Sequence, residues 1–593
     1  MDTEAPKKEV HAATPPPEPG ANLRFWVSWR RRLLEIGGAA ISGLLLSAAF
    51  PPVENAGLAW FAFIPLLLLP IPRVLRRRFI IGYAFGFAHF VTSLWWLNEV
   101  GFGAGVLLAA VCALFPMLWY LLFCAFGSAL PGIKLNASRT IQPPRHFFAA
   151  GALPVALGAL LLAAGWCGLE WIRSWLFTGF SWNQLGISQW RHAVLLKLSA
   201  FTGVYGLSFL IVFVNFVLGW MLISWIARFR GRPHRGVPWP PALAILAFLP
   251  VLAITFTTRS LPEPDRYLRV AGIQGNLTQR REWNPELLQE AIEVYEALSV
   301  QAASSVHGSL DLIVWPETAL PAPVQWNDKA AQMVKRVIRK TKTHLLIGSL
   351  DFRRPPAASN TSREEENTAD YAMTNSALLI NPDGEVLDYY DKIHRVPFGE
   401  YVPFGKYLPW LVEMIGMGRD LLAGAEYTIL KLPRHVKAGV NICYEDAYPG
   451  ISRAFVERGA NLLFTLTNDA WYAKSSGARQ HFTHAVFRAA ENRRPLFRAG
   501  NNSDTCLIWP NGKIEGLLYD PVTGSRFIRG YRVYDVPVWD ELPTSFYTEY
   551  GDWFAQSCAI ILLVTAIVLV ALVIRRKHAK FEAINTGPGK GTA

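Results

Sequence analysis

Hydrophobic positions follow two regimes along this chain. Up to residue 258 they form long apolar runs, near 33–50, 56–72, 79–98, 104–130, 148–171, 193–226 and 241–258. Each run is near the length at which a helix crosses a bilayer, so the pattern predicts seven spans. The sixth run is overlong and its start is not fixed by the pattern. An eighth run extends from Phe554 to Ile574 and ends in Arg575, Arg576 and Lys577. Between 266 and 545 the pattern changes to short strand-like runs at 268–273, 310–315, 344–350, 376–380, 439–443 and 461–467. Helical periodicity lies between several of them, as at 285–307 and 328–340, which predicts an α/β domain with a largely central sheet.

The expected organisation is a disordered, Pro-rich tail at 1–22 and a membrane domain at 23–258. A second domain at 259–552, an eighth transmembrane helix at 553–575 and a tail at 576–593 complete it. No cleavable signal peptide is expected, because the first apolar run starts late and lacks a small-residue cleavage site. The stretch 353–370 reads as a solvated insertion without chemistry.

Composition agrees with this division. The 593 residues are 51% hydrophobic with 22 Trp and 35 Phe, and only 17% charged, which suits a membrane protein carrying a soluble domain. The net charge of +13 does not point to nucleic acid, because Arg clusters between apolar runs encode topology. Arg30, Arg31 and Arg32, then Arg73 with Arg76, Arg77 and Arg78, then Lys134, Arg139 and Arg145, then Arg228, Arg230, Arg232 and Arg235 fall on alternate sides. The C-terminal cluster joins that same side, and the opposite loop 98–103 has no Lys or Arg. Positive-inside logic therefore expects both termini in the cytoplasm and 259–552 outside. Of six Cys, only Cys443 and Cys506 fall in the soluble domain, so neither a disulfide framework nor a metal site is expected.

Candidate chemistry gathers at strand ends. The run Gly439-Val440-Asn441-Ile442 delivers Cys443 to a strand terminus, followed at once by Tyr444 and Glu445. Alone, Cys443 reads as well as a buried core thiol. Glu317 emerges just past a strand that Pro316 stops, and Lys392 and Glu400 are embedded among aromatics and prolines. A thiol nucleophile needs a base, and the oxyanion formed on attack needs a fixed positive donor. Glu317, Cys443 and Lys392 would supply base, nucleophile and donor, although sequence alone does not bring them together in space.

Trp315-Pro316-Glu317, Asp391-Lys392-Ile393-His394 with Pro397-Phe398-Gly399-Glu400, and Ile442-Cys443-Tyr444-Glu445 resemble the carbon–nitrogen hydrolase (nitrilase) superfamily, whose triad is Glu-Lys-Cys. Gln274-Gly275-Asn276, Trp283, the run from Asn468 to Tyr472, Gln480-His481-Phe482 and Asn501-Asn502 extend the match. With the membrane half, and the stretch from Trp175 to Trp182, the chain resembles the apolipoprotein N-acyltransferase family. The resemblance implies an α-β-β-α sandwich for the second domain, with Glu317 as general base, Lys392 as oxyanion stabiliser and Cys443 as nucleophile. Glu400, Tyr444, Glu445, Trp283, Asn375 and Trp471 are carried over as supporting or substrate positions. His394 matches no catalytic position and is expected to hydrogen-bond locally.

The implied activity is ping-pong transfer of an acyl chain from a phospholipid, with phosphatidylethanolamine as donor, to the N-terminal amine of a diacylated apolipoprotein. No cofactor is implied, and the expected setting is a monomer in the bacterial inner membrane with its catalytic domain in the periplasm. Two rival readings are a membrane-tethered amidase or nitrilase-type hydrolase and a transporter with a periplasmic binding domain. The apolar stretch 404–418, with Trp410, Leu411 and Met414, reads either as a core helix or as a membrane-facing lid over Cys443.

Overall fold

The computed structural model describes residues 21–129, 147–149, 152–229, 261–278, 285–354, 371–416 and 420–585, with isolated helical positions between 243 and 254. The 1–20 tail, most of the seventh apolar run, Trp283 and the insertion from 355 lie outside the described residues.

The N-terminal half is helical: α1 (Ala21–Ser47), α2 (Ile64–Leu67), α3 (Leu75–Ser93), α4 (Ala104–Cys112), α5 (Leu114–Ala129), α6 (Ala152–Trp175), α7 (Ala193–Thr202) and α8 (Val204–Phe229). Among the described residues, four helices are long and apolar enough to cross a membrane: Ala104–Ser128, Leu153–Trp175, Val204–Ile226 and Trp553–Leu572. The expected seven N-terminal transmembrane helices are therefore not all of that kind. α1 and α3 are long, but α1 carries an arginine cluster inside it at 30–32 and α3 opens on one. The run 56–72 is not one helix, and 193–226 is two, α7 and α8, parted at Gly203.

That second run shows how an apolar segment can avoid regular structure. A 3-10 turn, Ala56–Trp60, leads into the single turn of α2, and Ala59, Ala62, Phe63 and Leu66 are fully buried. Its backbone polar groups cannot go without partners there, and side chains of neighbouring helices supply them. Asn215 accepts from Phe63 N at 3.0 Å and donates to Ala59 O at 2.9 Å, Ser42 accepts from Leu66 N at 2.9 Å, and Gln189 donates to Ala56 O at 3.0 Å. Irregular backbone at such depth is tolerated only when packed inside protein.

The second half carries two six-stranded mixed sheets. One has the order β12-β1-β2-β3-β4-β5: β1 (Arg266–Gln274), β2 (Leu312–Val314), β3 (His344–Arg353), β4 (Ala372–Ile380), β5 (Val386–Asp391) and β12 (Gly530–Val538). The other has the order β11-β10-β9-β8-β7-β6: β6 (Leu430–Leu432), β7 (Val436–Ile442), β8 (Leu462–Thr467), β9 (Leu496–Gly500), β10 (Cys506–Ile508) and β11 (Ile514–Glu515). Each has a parallel trio at its centre, β1-β2-β3 and β7-β8-β9, flanked by antiparallel strands.

The period-2 alternation of strands decides the layers. Leu268, Val270, Leu312 and Val314 join the core between the sheets with Val440, Phe464 and Phe497. Ala271, Ile273, Ile313 and Leu345 point the other way, onto α9 (Pro285–Ser304) and α10 (Asp328–Thr341). Asn327 caps α10 by accepting from Ala330 N. α12 (Pro449–Glu457) and α13 (Gly477–Asn492) accompany the second sheet, which gives the α-β-β-α sandwich. α11 is the short helix Pro409–Ile415, and α14 (Phe546–Tyr550) leads into the long α15 (Trp553–Asn585).

The two halves meet at α13. Gln480 is buried there, and its Oε1 accepts the indole N–H groups of Trp96 at 3.0 Å and Trp182 at 2.9 Å. Its Nε2 donates to Pro51 O and Ser93 O, both at 2.9 Å, so one amide ties four points of the membrane half.

Candidate active site

Glu317 leaves the end of β2, Lys392 the end of β5 and Cys443 the end of β7. Gly348 on β3 lets the Glu317 turn approach, since a Cβ there would stand 2.5 Å from Glu317 Cα. Glu317 Oε1 accepts from Asn375 Nδ2 at 2.7 Å, and its Oε2 accepts from Asn468 N at 3.0 Å. Lys392 Nζ lies 2.9 Å from Glu400 Oε1 and 3.4 Å from Glu317 Oε1. Asn375 Nδ2 also donates to Glu400 at 3.0 Å, and Val396 N donates to the other Glu400 oxygen at 2.8 Å. Four of the expected residues thus share one buried hydrogen-bonded unit.

Burial would push the Lys392 ammonium down, but Glu400, Glu317 and Cys443 outweigh it and hold it above the ordinary lysine range. Burial first, and then the Glu317 carboxylate, push the Cys443 thiol well up, against the pull of Lys392. Cys443 therefore rests as a thiol beside a carboxylate and a cation. Its φ is +52°, a left-handed conformation that costs a β-carbon-bearing residue about 1–2 kcal/mol. It opens a 3-10 turn, Cys443–Ala447.

Glu445 clamps this turn from within. Its Oε2 accepts from Ile442 N at 2.8 Å, and its Oε1 accepts from Tyr390 Oη and Ile393 N at 2.8 Å and His394 N at 3.0 Å. Burial pushes its carboxyl up to about 7 against those backbone donors. One carboxylate thus joins the Cys443 turn to the Lys392 loop. Tyr444 is buried, with its ring 5.9 Å from Trp182, and Tyr448 Oη donates to Gly179 O at 3.1 Å.

Trp471 is partly exposed on the 3-10 turn Asp469–Tyr472. The ring of His394 lies 3.7 Å from that of Tyr448, and burial pushes it down to about 4, so it is neutral. Its Nε2 has no hydrogen-bond partner among the described residues, and the local hydrogen bonding there is made by its backbone N–H. In the lid candidate, α11 has no buried residue: Trp410 is 59% and Met414 66% exposed. A core helix is thereby ruled out. Residues 417–419 lie outside the described residues.

Sequence reasoning assigned no role to a second buried cluster. His481 Nδ1 lies 2.7 Å from Asp469 Oδ1, and its Nε2 lies 3.1 Å from Cys443 O and 3.0 Å from Asp446 Oδ1. Arg498 Nη2 donates to Asp469 Oδ2 at 2.9 Å, and Ser503 Oγ also donates there. Burial opposes the charge on His481, but Asp446 and Asp469 raise it to about 10. Likewise, His481 and Arg498 overcome burial to hold Asp469 below the usual carboxylate range. Cys443, Asp469 and His481 also have the donor types of a metal site, with ligand atoms within 4.8 Å of one another. The ion pairs among them already satisfy His481 and Asp469. In the sequence, Asp469 and His481 stand out only as members of the family-like stretches 468–472 and 480–482.

A sandwich of two mixed sheets with an acid, a lysine and a thiol at strand ends defines a carbon–nitrogen hydrolase-type domain, and residues 269–528 match the carbon–nitrogen hydrolase family model. Residues 42–217 match the model of the apolipoprotein N-acyltransferase N-terminal domain. The chain belongs to the apolipoprotein N-acyltransferase family. It is 35% identical over 545 residues to the apolipoprotein N-acyltransferase of Geobacter metallireducens, covering 91% of this chain and 95% of the relative. It is 30% identical over 516 residues to that of Allorhizobium ampelinum, covering 83% and 88%. Among solved structures, an amidase from Nesterenkonia sp. is similar at 18% identity and TM-score 0.33, covering 48% of this chain and 95% of the amidase.

Proposed function

We propose that the chain transfers an acyl chain from a phospholipid, with phosphatidylethanolamine as the donor, to the N-terminal amine of a diacylglyceryl-cysteine on an apolipoprotein. The observation that carries this reading is the buried meeting of Glu317, Lys392 and Cys443 directly beside the membrane half. In the first half-reaction Glu317 takes the Cys443 proton as sulfur attacks the lipid ester carbon. Lys392, kept charged by Glu400, faces the oxyanion. The ester C–O bond then breaks, Glu317 returns the proton to the glycerol oxygen, and lysophospholipid leaves a thioester on Cys443. In the second, the neutral amine attacks the thioester, Glu317 accepts its proton, and the amide forms as Cys443 regains its hydrogen.

The catalytic domain is assigned to the periplasm and both termini to the cytoplasm. Arg31 and Arg77 both pair with Glu35, and Arg78 bonds Ser128, which gathers the starts of α1 and α3 with the end of α5. Pro51, Ser93 and Trp96, at the other ends of α1 and α3, meet the catalytic domain through Gln480. The first two basic clusters and the catalytic domain thus lie at opposite ends, which supports the positive-inside topology. The exposed apolar residues of α11 suit a lid that meets lipid and shields the thioester from water.

The decisive assay combines purified protein, labelled phospholipid and a diacylated lipopeptide. The expected product is the N-acylated lipopeptide with lysophospholipid released. Labelled fatty acid alone would make the protein a hydrolase. Reporter fusions at 353–370 and after residue 580 should report opposite compartments, and a shared compartment would overturn the topology.

A further inference from the structure

His481 does not belong to the acid–lysine–thiol set, yet it is fully buried and touches the nucleophile's backbone. Two oxygens lie near its Nε2. The Cys443 carbonyl makes a hydrogen bond, whereas both Asp446 oxygens lack hydrogen-bond partners among the described residues. Asp446 therefore faces the ring as a counter-charge, and the N–H is spent on Cys443.

The charged and titratable groups facing the ring are Asp446 and Cys443 from the nucleophile turn, Asp469 and Tyr472 from the next turn, Arg498 from β9 and His484 from its own helix. Two carboxylates against one guanidinium leave one negative charge, which a protonated His481 cancels. Burial of an unbalanced charge is costly, so the cluster holds the ring as imidazolium. Both ring nitrogens are then donors, one committed to Asp469 and the other to Cys443. The carbonyl so fixed belongs to the residue held at positive φ, where a small backbone relaxation would swing the sulfur.

We infer that His481 is a positioning residue for Cys443: its imidazolium donates to the Cys443 carbonyl and holds the left-handed turn that aims the sulfur. This rests on Cys443 being the nucleophile proposed above. His481 touches no substrate atom, so it affects attack and not lipid affinity.

The test follows acyl-enzyme formation on the full-length protein by intact mass, across concentrations of a labelled phospholipid, with thermal unfolding measured in parallel. His481→Phe removes both donor and charge, and should lower the limiting acylation rate about 100-fold, the scale of a 1 Å misplacement, at unchanged KM. His481→Gln keeps an N–H for the same carbonyl without the charge. It should recover about tenfold of that rate although its unfolding midpoint falls as far. Rates within twofold of wild type, or rates that track the unfolding midpoint in both variants, would overturn the inference. If His481→Phe does not fold, His481→Gln decides alone: a lowered limiting rate at unchanged KM supports the role, and any other split overturns it. Cys443→Ser runs alongside. An adduct persisting there would remove the nucleophile assignment itself, whereas its loss together with unimpaired His481 variants would remove only the positioning role.

Discussion

The ring of Trp182, from the membrane half, stacks against that of Tyr444, the residue that follows Cys443, with centroids 5.9 Å apart and planes inclined by 28°. The membrane half therefore packs against the turn that carries Cys443. Trp182→Phe keeps a ring and leaves Gln480 its second indole donor, so it should cost about 1 kcal/mol. Trp182→Ala empties a fully buried site and should cost about 3–5 kcal/mol, with a larger loss of acylation. Thermal unfolding in detergent separates them. Equal stability of the two variants would mean that the ring contributes nothing to joining the halves.

Cys443→Ser should abolish both turnover and the lipid adduct, while Cys506→Ser should leave both intact. Cys506 is fully buried on β10, and burial holds its thiol high and unreactive. Glu317→Gln and Lys392→Ala should each keep the fold and lose acylation, the latter by about 10²–10³ in rate. Alkylation followed by intact mass locates the adduct. An undiminished adduct in Cys443→Ser would exclude the thioester.

Stability should fall as pH rises from 7 to 10. His481 has a folded value of about 10 against about 6.5 unfolded, so its contribution is complete below 6.5 and lost through 10. The window opens at 7 because Glu445, pushed up to about 7, titrates beneath it. His481→Phe should flatten this decline, read as unfolding midpoint against pH. A parallel decline in the variant would assign it to other groups. On the acid side, His394 and His484, both held down by burial, take up protons only on unfolding, whereas Glu445 and Glu491, pushed up to about 7, protonate more readily in the fold, so the two pairs oppose each other below about 6.5.

Replacing Trp410 and Leu411 with Ser should weaken acylation by phospholipid and spare alkylation of Cys443 by a small soluble reagent. Neither residue is fully buried: Trp410 is exposed and Leu411 half-buried. Unchanged lipid acylation would show that α11 has no part in substrate entry.

What could be read in advance was local. β1, β3, β7 and β8 and the helices α9 and α10 announce themselves by periodicity, Glu317 and Cys443 by standing at strand ends, and Lys392 by its setting among aromatics and prolines. Periodicity alone predicts a largely central sheet, and the two-sheet sandwich comes only with the family resemblance, because the pairings that complete the sheets are distant: β1 pairs with β12, Arg266 opposite Val538. The His481 cluster was hidden for the same reason. Asp446, Asp469, His481 and Arg498 come from three turns or helices and a strand, and a buried charge shows its purpose only beside its partner. In the membrane half, hydropathy reports burial and not conformation, so 56–72 looked like any other span.

That irregular stretch also constrains the order in which the protein can be built. Phe63 and Ala59 obtain their partner from Asn215, which is synthesised 152 and 156 positions later. Until α8 arrives, the segment holds backbone groups that lipid cannot satisfy. The membrane half therefore cannot be completed one span at a time from its N-terminus. Nascent chains stopped before residue 215 should hold 56–72 open to aqueous reagents, and chains extended past α8 should close it.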